Sequence, residues 1–378
     1  MTVQPDLLAR LNAILGPEQQ LADIAGLSEL PVTRKDAVLA AQAKSPPFGG
    51  GHPAGLTHIF QSPGPIYEPG LGQADFWRFG RFAKEIGMTG ADVILNTFSY
   101  HFTPAGAMFE SAARAVGAVV VPAGPGNTRQ QAEVAEAAGV TAYVGTPDFL
   151  AAILERAAED RRDLGKIRLA AVSAGPLFPQ VRQAYADRGI LCRQCYGTAD
   201  VGLIAYETAD CINGMVIDED VIVEIVSPGT GTPLLHGEIG EVVVTVLNTA
   251  YPVVRFSTGD LSAFATDEDP SGEARPRIVG WRGRADQATK VKGMFIRPEQ
   301  VSRMVADTAA ISRARVEVSH DGKTDLVDVK LECSSGIAKD YEALVQETFK
   351  LRSRITMVPP GSLPRDGILV SDLRSSGG

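Results

Sequence analysis

The chain has 378 residues and a formal net charge of −9, with 39 glycines and 24 prolines that point to many turns rather than a helical bundle. An acidic balance without any basic block excludes a phosphate-tracking nucleic-acid surface, which needs clustered Lys and Arg. No run approaches the roughly 18 apolar residues of a membrane span, and MTVQPDLLARL lacks the basic-then-apolar order of a signal peptide. A cytoplasmic protein of two domains, without a disulfide scaffold, is the expectation.

Residues 1–45 read as helical and end in the turn-rich SPPFGGGHPAG. A helix is expected over 75–88, where aromatics recur at helical spacing. Strand and helix patterns then alternate: ADVILNTF, AMFESAARAVG, AVVVP, TRQQAEVAEAAG, TAYVGTP, DFLAAILERAAED, IRLAAVSAG and FPQVRQAYADRG. That alternation predicts an α/β fold with a mostly parallel sheet. Beyond residue 212, VIVEIVS, EVVVTVLN and PVVRFSTGD are strands separated by turns, the pattern of an antiparallel, barrel-like subdomain. A small α+β unit follows: helix PEQVSRMVADT, strands RARVEVSH and DLVDVKLEC, helix KDYEALVQETFKLRSRI, and a tail SDLRSSGG expected to be disordered. The domain expectation is 1–283 for the large N-terminal domain and 284–378 for the small mobile one.

Three short motifs carry the chemistry. Tyr196-Gly197-Thr198-Ala199-Asp200 follows a strand at 190–195. The ring can stack on a base, Gly197 admits close backbone approach, Thr198 can bind phosphate, and Asp200 can hold Mg²⁺; an ordinary strand-to-loop turn is the other reading. Arg255-Phe256-Ser257-Thr258-Gly259-Asp260 ends an apolar strand, and its carboxylate can accept from both ribose hydroxyls or simply face solvent in a turn. Gly283-Arg284-Ala285-Asp286, continuing through Lys290, Lys292 and Gly293 to Ile296, Pro298 and Glu299, is either an exposed charged linker or a nucleotide contact followed by a hinge.

In this order the three motifs resemble those of the adenylate-forming ligases, and more closely the phenylacetate–CoA ligase family. Leu30-Pro31-Val32-Thr33-Arg34-Lys35, Val116–Pro122, Thr146-Pro147, Gly237–Val243 and Pro360–Arg365 extend the resemblance over roughly residues 28–366. It implies an AMP-forming carboxylate–CoA ligase that uses ATP, Mg²⁺ and coenzyme A, acts on an aryl or related acid, and forms a homodimer. It further implies that Tyr196 stacks near adenine, Gly197 and Gly175 line the nucleotide, and Thr198 contacts the α-phosphate. Asp200 would hold Mg²⁺ one methylene short of the family's Glu, Asp260 would bind ribose, and Arg284 would support the nucleotide. Asp286 would be the hinge, and Lys290 would approach thioester formation.

The sequence departs from the family in three places. Its phosphate loop, rich in Ser, Thr and Gly and closing in Gly-Lys, is replaced by Phe60-Gln61-Ser62-Pro63-Gly64-Pro65-Ile66-Tyr67. Only Ser62 and Gly64 remain as phosphate contacts, since the prolines remove backbone donors. The final loop reads Pro364-Arg365-Asp366-Gly367-Ile368-Leu369, with Ile368 where a Lys is expected and no Lys after Lys350. The third departure is Ala174-Gly175-Pro176, where the family often has an acid before the Pro. The AMP half of the site is therefore better kept than the pyrophosphate half, which leaves two alternatives open: a non-catalytic relative that binds AMP, an acyl-CoA or a partner protein, and an enzyme keeping only the thioester-forming step. Phe98, Tyr100 and His101 either wall an acyl pocket or belong to core and cap. Cys192, Cys195 and Cys211, with His236, are either a zinc set or structural thiols.

Overall fold

The computed structural model describes residues 6–62, 65–175, 177–210, 213–267, 275–282, 285, 289–292, 294–308, 310–333, 336–364 and 368–374. It divides into two compact units: Met1–Glu238, Val242–Thr258 and Ala263–Gly280 form the first, and Ile239–Glu241, Gly259–Ser262 and Trp281–Gly378 the second.

The first unit is built on an eight-stranded mixed sheet. Strands Val119–Pro122, Val93–Asn96, Ala142–Gly145, Leu169–Val172 and Leu191–Thr198 lie side by side in parallel. Helices Ala105–Ala115, Thr128–Ala138, Pro147–Glu159 and Pro179–Ala186 lie between these strands in the chain. Local sequence sets their ends and faces. Pro147 opens one helix at a position where a missing N–H costs nothing, and Leu150, Ile153, Leu154 and Ala157 give it a single buried stripe. The helix from Thr128 is capped by the Asn127 side chain accepting from Gln130 N–H, and it stops at Gly139 in a left-handed conformation.

Because alternate strand residues face opposite sides, neighbouring residues fill two different cores. Ile94, Val144 and Ala171 pack with Phe82 and Phe109 on one side, whereas Leu95, Tyr143 and Val172 pack with Leu150 and Ile153 on the other. After Leu191–Thr198 the chain reverses. Strands Gly202–Tyr206, Met215–Ile217 and Arg277–Ile278 continue the sheet antiparallel. The strands expected to form one antiparallel subdomain are thus divided between the edge of this sheet and a separate three-stranded sheet of Val221–Val226, Gly240–Val246 and Val253–Ser262.

The N-terminal region holds helices Leu7–Leu15 and Lys35–Lys44 around the short 3₁₀ turn Ala25–Glu29, less helix than expected over 1–45. The helix expected over 75–88 is confined to Phe79–Glu85, since Arg78 enters in a left-handed conformation. Arg255, wholly buried, braces the first unit. It meets Glu224 through two nitrogens at 2.9 and 3.0 Å and donates to the carbonyls of Ser28, Leu30 and Gly231.

The second unit carries a four-stranded sheet in the order Arg354–Val358, Asp325–Cys333, Ile311–His320, Val370–Asp372. Helices Pro298–Ala306 and Glu342–Phe349 contribute Val301, Met304, Val345 and Phe349 to the core formed with Val316, Val318, Val329 and Leu331. Two expectations are corrected here. The helix over 339–355 stops at Phe349, where Lys350 turns left-handed, and Arg354–Val358 is a strand. The tail is not wholly disordered either: Val370–Asp372 pairs in parallel with Val316–Val318, its backbone finding partners that local sequence does not advertise.

Candidate functional site

Strand Leu191–Thr198 is the last parallel strand of the first unit, and its carboxyl end turns directly into the antiparallel pairing with Gly202–Tyr206. In open α/β sheets, ligand sites form outside such carboxyl ends. The turn depends on two glycines. A Cβ on Gly197 would lie 2.6 Å from the Gly202 carbonyl oxygen and 2.9 Å from Phe79, and Gly202 has φ +76. The ladder shifts register between Tyr196 and Gly197, which fixes the directions of the side chains beyond it.

Within this turn the Tyr196 hydroxyl lies 3.2 Å from Thr258 Oγ1, which donates to the Val242 carbonyl at 2.9 Å. The Thr198 hydroxyl is buried and has no hydrogen-bond partner among the described residues. Buried polar atoms are normally paired, so such an orphan calls for an explanation. Two residues on, Lys35 Nζ donates to Asp200 Oδ2 at 3.2 Å. Lys35 opens helix Lys35–Lys44, and Thr33 bonds the Phe256 strand on both sides, through Thr33 N–H to Arg255 O and Ser257 N–H to Thr33 O. The Lys35 ammonium also lies 5.8 Å from the Phe256 ring centre. A segment far away in sequence therefore supplies the cation facing Asp200.

A second carboxyl group feels the Asp200 charge. Strands Leu56–Ser62 and Ile66–Leu71 form a hairpin closing at Ser62 and Ile66, and Glu68 of the second strand is only 4% exposed. Its carboxyl accepts from Ser62 N–H at 3.1 Å and from Ser62 Oγ. Burial pushes the Glu68 carboxyl up to about 8; the Ser62 hydroxyl opposes this, the Asp200 charge adds to it, and Lys35 opposes it weakly. Burial, then the charges of Glu68 and Asp200, also push the Tyr251 hydroxyl up to about 12.

In the second unit, Trp281 Nε1 donates to Asp260 Oδ1 at 3.1 Å, orienting a carboxylate that is mostly buried. Two backbone bonds, Arg282 N–H to Leu261 O and Ala285 N–H to Gly259 O, hold the chain alongside. Lys290 sits on the hairpin of Thr289–Val291 and Met294–Ile296 directly opposite Phe295, whose ring both Lys290 and Arg297 approach.

Tyr196, Gly197, Thr198 and Asp200 thus come together in the first unit with Ser62 nearby, while Asp260 and Lys290 belong to the second. Arg284, Asp286 and Gly64 lie outside the described residues. Gly175 is half-buried and a Cβ there would only touch Pro147. Phe98 stacks on Phe109 in the core, 4.8 Å between centres. Tyr100 accepts from the Asn96 amide, its hydroxyl pushed above the usual tyrosine range by burial and then by Glu110. His101 is exposed and lies edge-on to Phe102.

The zinc alternative loses its geometry. Cys192 and Cys195 are three apart in one strand and therefore face opposite sides, into different cores. Burial pushes the Cys192 thiol up to about 12, and Cys195 further, the reverse of what a thiolate ligand needs. Cys211 is outside the described residues, and His236 stacks on Phe264. Among the described residues no group of three or more His, Cys, Asp or Glu is placed to hold a metal ion, and no helix is long and apolar enough to cross a membrane.

The motif residues were visible in the sequence, as was Lys35 within the 30–35 element, but the pairing of Lys35, Glu68 and Trp281 with the site was not. The signals were faint: a Lys opening a helix, a lone acid within IYEPGL, and a Trp beside the third motif.

Residues 74–250 match the family model of AMP-binding enzymes. The phenylacetate-coenzyme A ligase of Escherichia coli is 28% identical over 321 residues, covering 78% of this chain and 72% of the ligase. That of Thermus thermophilus is 26% identical over 321 residues, covering 75% and 71%. The fold is similar to that of 2-hydroxyisobutyryl-CoA ligase in complex with 2-HIB-AMP and CoA in the thioesterification state. The TM-score is 0.78 at 20% identity, covering 96% of this chain and 84% of that one.

Proposed function

We propose, from the premise that the chain belongs to the adenylate-forming superfamily on its phenylacetate–CoA ligase-like branch, that it is an AMP-forming carboxylate–CoA ligase. The observation that carries the reading is the buried Thr198 hydroxyl, unpartnered among the described residues, at the carboxyl end of the last parallel strand. A hydroxyl fixed there without a protein acceptor suits a phosphate oxygen of a bound adenylate.

In the first half-reaction the substrate carboxylate attacks the α-phosphorus of ATP, and the bond to pyrophosphate breaks. In the second, the CoA thiol loses its proton and attacks the acyl carbonyl carbon, and the bond to AMP breaks. In this reading Thr198 donates to the α-phosphate, the Tyr196 ring and Gly197 border the base, and Asp260, oriented by Trp281, accepts from ribose hydroxyls. Asp200 offers the single hard carboxylate that suits Mg²⁺ with phosphate oxygens, an ion that supplies charge neutralisation when bound. Lys35 already shares the Asp200 oxygen, so ammonium and cation compete there. In this reading residues 284–378 form the small mobile domain, with Asp286 as hinge and Lys290 serving thioester formation. A homodimer and an aryl substrate rest on the family resemblance alone.

The test is carboxylate-dependent pyrophosphate exchange over a panel of aryl and small acids, followed by thioester formation from a synthetic acyl-adenylate and CoA. Thioester from the acyl-adenylate without exchange would assign only the second half-reaction, which the Ser62–Glu68 pairing and the lack of any Lys after Lys350 favour. Neither activity with any acid would sink the ligase reading.

A further inference from the structure

The hairpin Leu56–Ser62 and Ile66–Leu71 flanks the stretch where a phosphate loop was expected, and the Ser62 donors there are already engaged. Ser62 N–H and Ser62 Oγ both turn onto one carboxyl group, that of Glu68, across the strand pair. Two donors, each on its own oxygen of one carboxyl group, reproduce what two oxygens of a phosphate would meet. Glu68 is almost fully enclosed and feels the Asp200 charge, with Lys35 the cation whose charge reaches it and which Asp200 also draws. The Tyr251 hydroxyl also feels both carboxyl groups.

We propose that Glu68 is a nucleotide-selectivity residue, which by holding the Ser62 donors and adding a second carboxyl group beside Asp200 disfavours a triphosphate while leaving an AMP moiety its contact with Thr198. The inference rests on the adenylate-forming reading of the site and names the nucleotide state the site prefers. A polyphosphate would have to displace a carboxyl group from its two donors and add negative charge next to Asp200, with Lys35 as the offsetting cation. AMP makes neither demand. Burial, which pushes Glu68 upward, keeps it largely protonated near neutral pH. Displacing the group from Ser62 therefore carries the larger part of the barrier there, and repulsion grows as pH rises.

The experiment measures binding of AMP, ATP and Mg²⁺–ATP to the full chain by titration calorimetry, in the parent, Glu68→Gln and Glu68→Val. Gln keeps an acceptor for Ser62 and removes the charge; Val, a good strand former, removes both. The expected result is an AMP affinity held within about twofold, while the ATP-to-AMP ratio of Kd values falls at least tenfold in Glu68→Val and by less in Glu68→Gln. A ratio that stays put in both variants, with AMP still bound, overturns the inference and leaves the adenylate reading standing. So does weaker Mg²⁺–ATP binding in the variants, which would make Glu68 a cation ligand. Failure of the parent to bind AMP would overturn the adenylate reading itself, and this inference with it.

Discussion

Replacing Glu68 by Gln should remove a pH-dependent weakness of the first unit. Burial raises the Glu68 carboxyl from an ordinary 4.5 to about 8. In the unfolded chain the group ionises near 4.5, so between that pH and about 8 the folded protein binds more protons than the unfolded one. Stability must then fall as pH rises through this window. The rise of about 3.5 pH units at ~1.36 kcal/mol each sets the loss on the order of 4–5 kcal/mol, complete above about pH 8. Gln fills the same volume, offers Ser62 an acceptor and does not titrate. Urea unfolding of parent and variant between about pH 4 and 9, followed on the transition of the first unit, should show two curves that run together at the acid end and separate steadily. Above about pH 8 the variant should lead by several kcal/mol. Ser62→Ala should carry the parent's loss to higher pH, because the Ser62 hydroxyl opposes the rise. A separation between parent and Gln variant that does not change with pH, or that shrinks toward alkaline pH, would refute the reasoning.

Thr198→Val separates a binding role from a packing role by sign. Removing a buried hydroxyl without a partner among the described residues should raise stability of the ligand-free chain by about 1 kcal/mol, while AMP affinity drops about tenfold; thermal melts and calorimetry read the two effects. A drop in stability would mean the hydroxyl serves the fold. Gly197→Ala forces a Cβ to within 2.6 Å of the Gly202 carbonyl oxygen, and the expected loss of ~1–3 kcal/mol should appear as a lower melting temperature. Arg255→Met strands Glu224 and three backbone carbonyls, so denaturant titration should show a loss of about 3–5 kcal/mol. Trp281→Phe removes one hydrogen bond that orients Asp260 and should weaken AMP binding severalfold with little change in melting temperature.

The order of strand and helix patterns, and the motifs at 196–200 and 255–260, were legible because each is local. Period-2 and period-3.6 hydrophobicity, a Pro at a helix start and a Gly at a helix end act over a few residues, so the α/β class and the carboxylates of the site could be read directly. So could the loss of a phosphate-binding composition at 60–67. The partners of these groups could not. Lys35 meets Asp200 across 165 positions, and Arg255 reaches Ser28 across 227, contacts that exist only once the strands are in register. Cys192 and Cys195 look like a metal pair in one dimension and are parted by the alternation of a strand. Nothing local distinguishes Glu68 from a solvated strand acid; the hairpin turns it inward onto Ser62. Sequence determined which chemical groups this protein carries; burial and long-range pairing, which depend on the whole chain folding at once, decided their charge and what they touch.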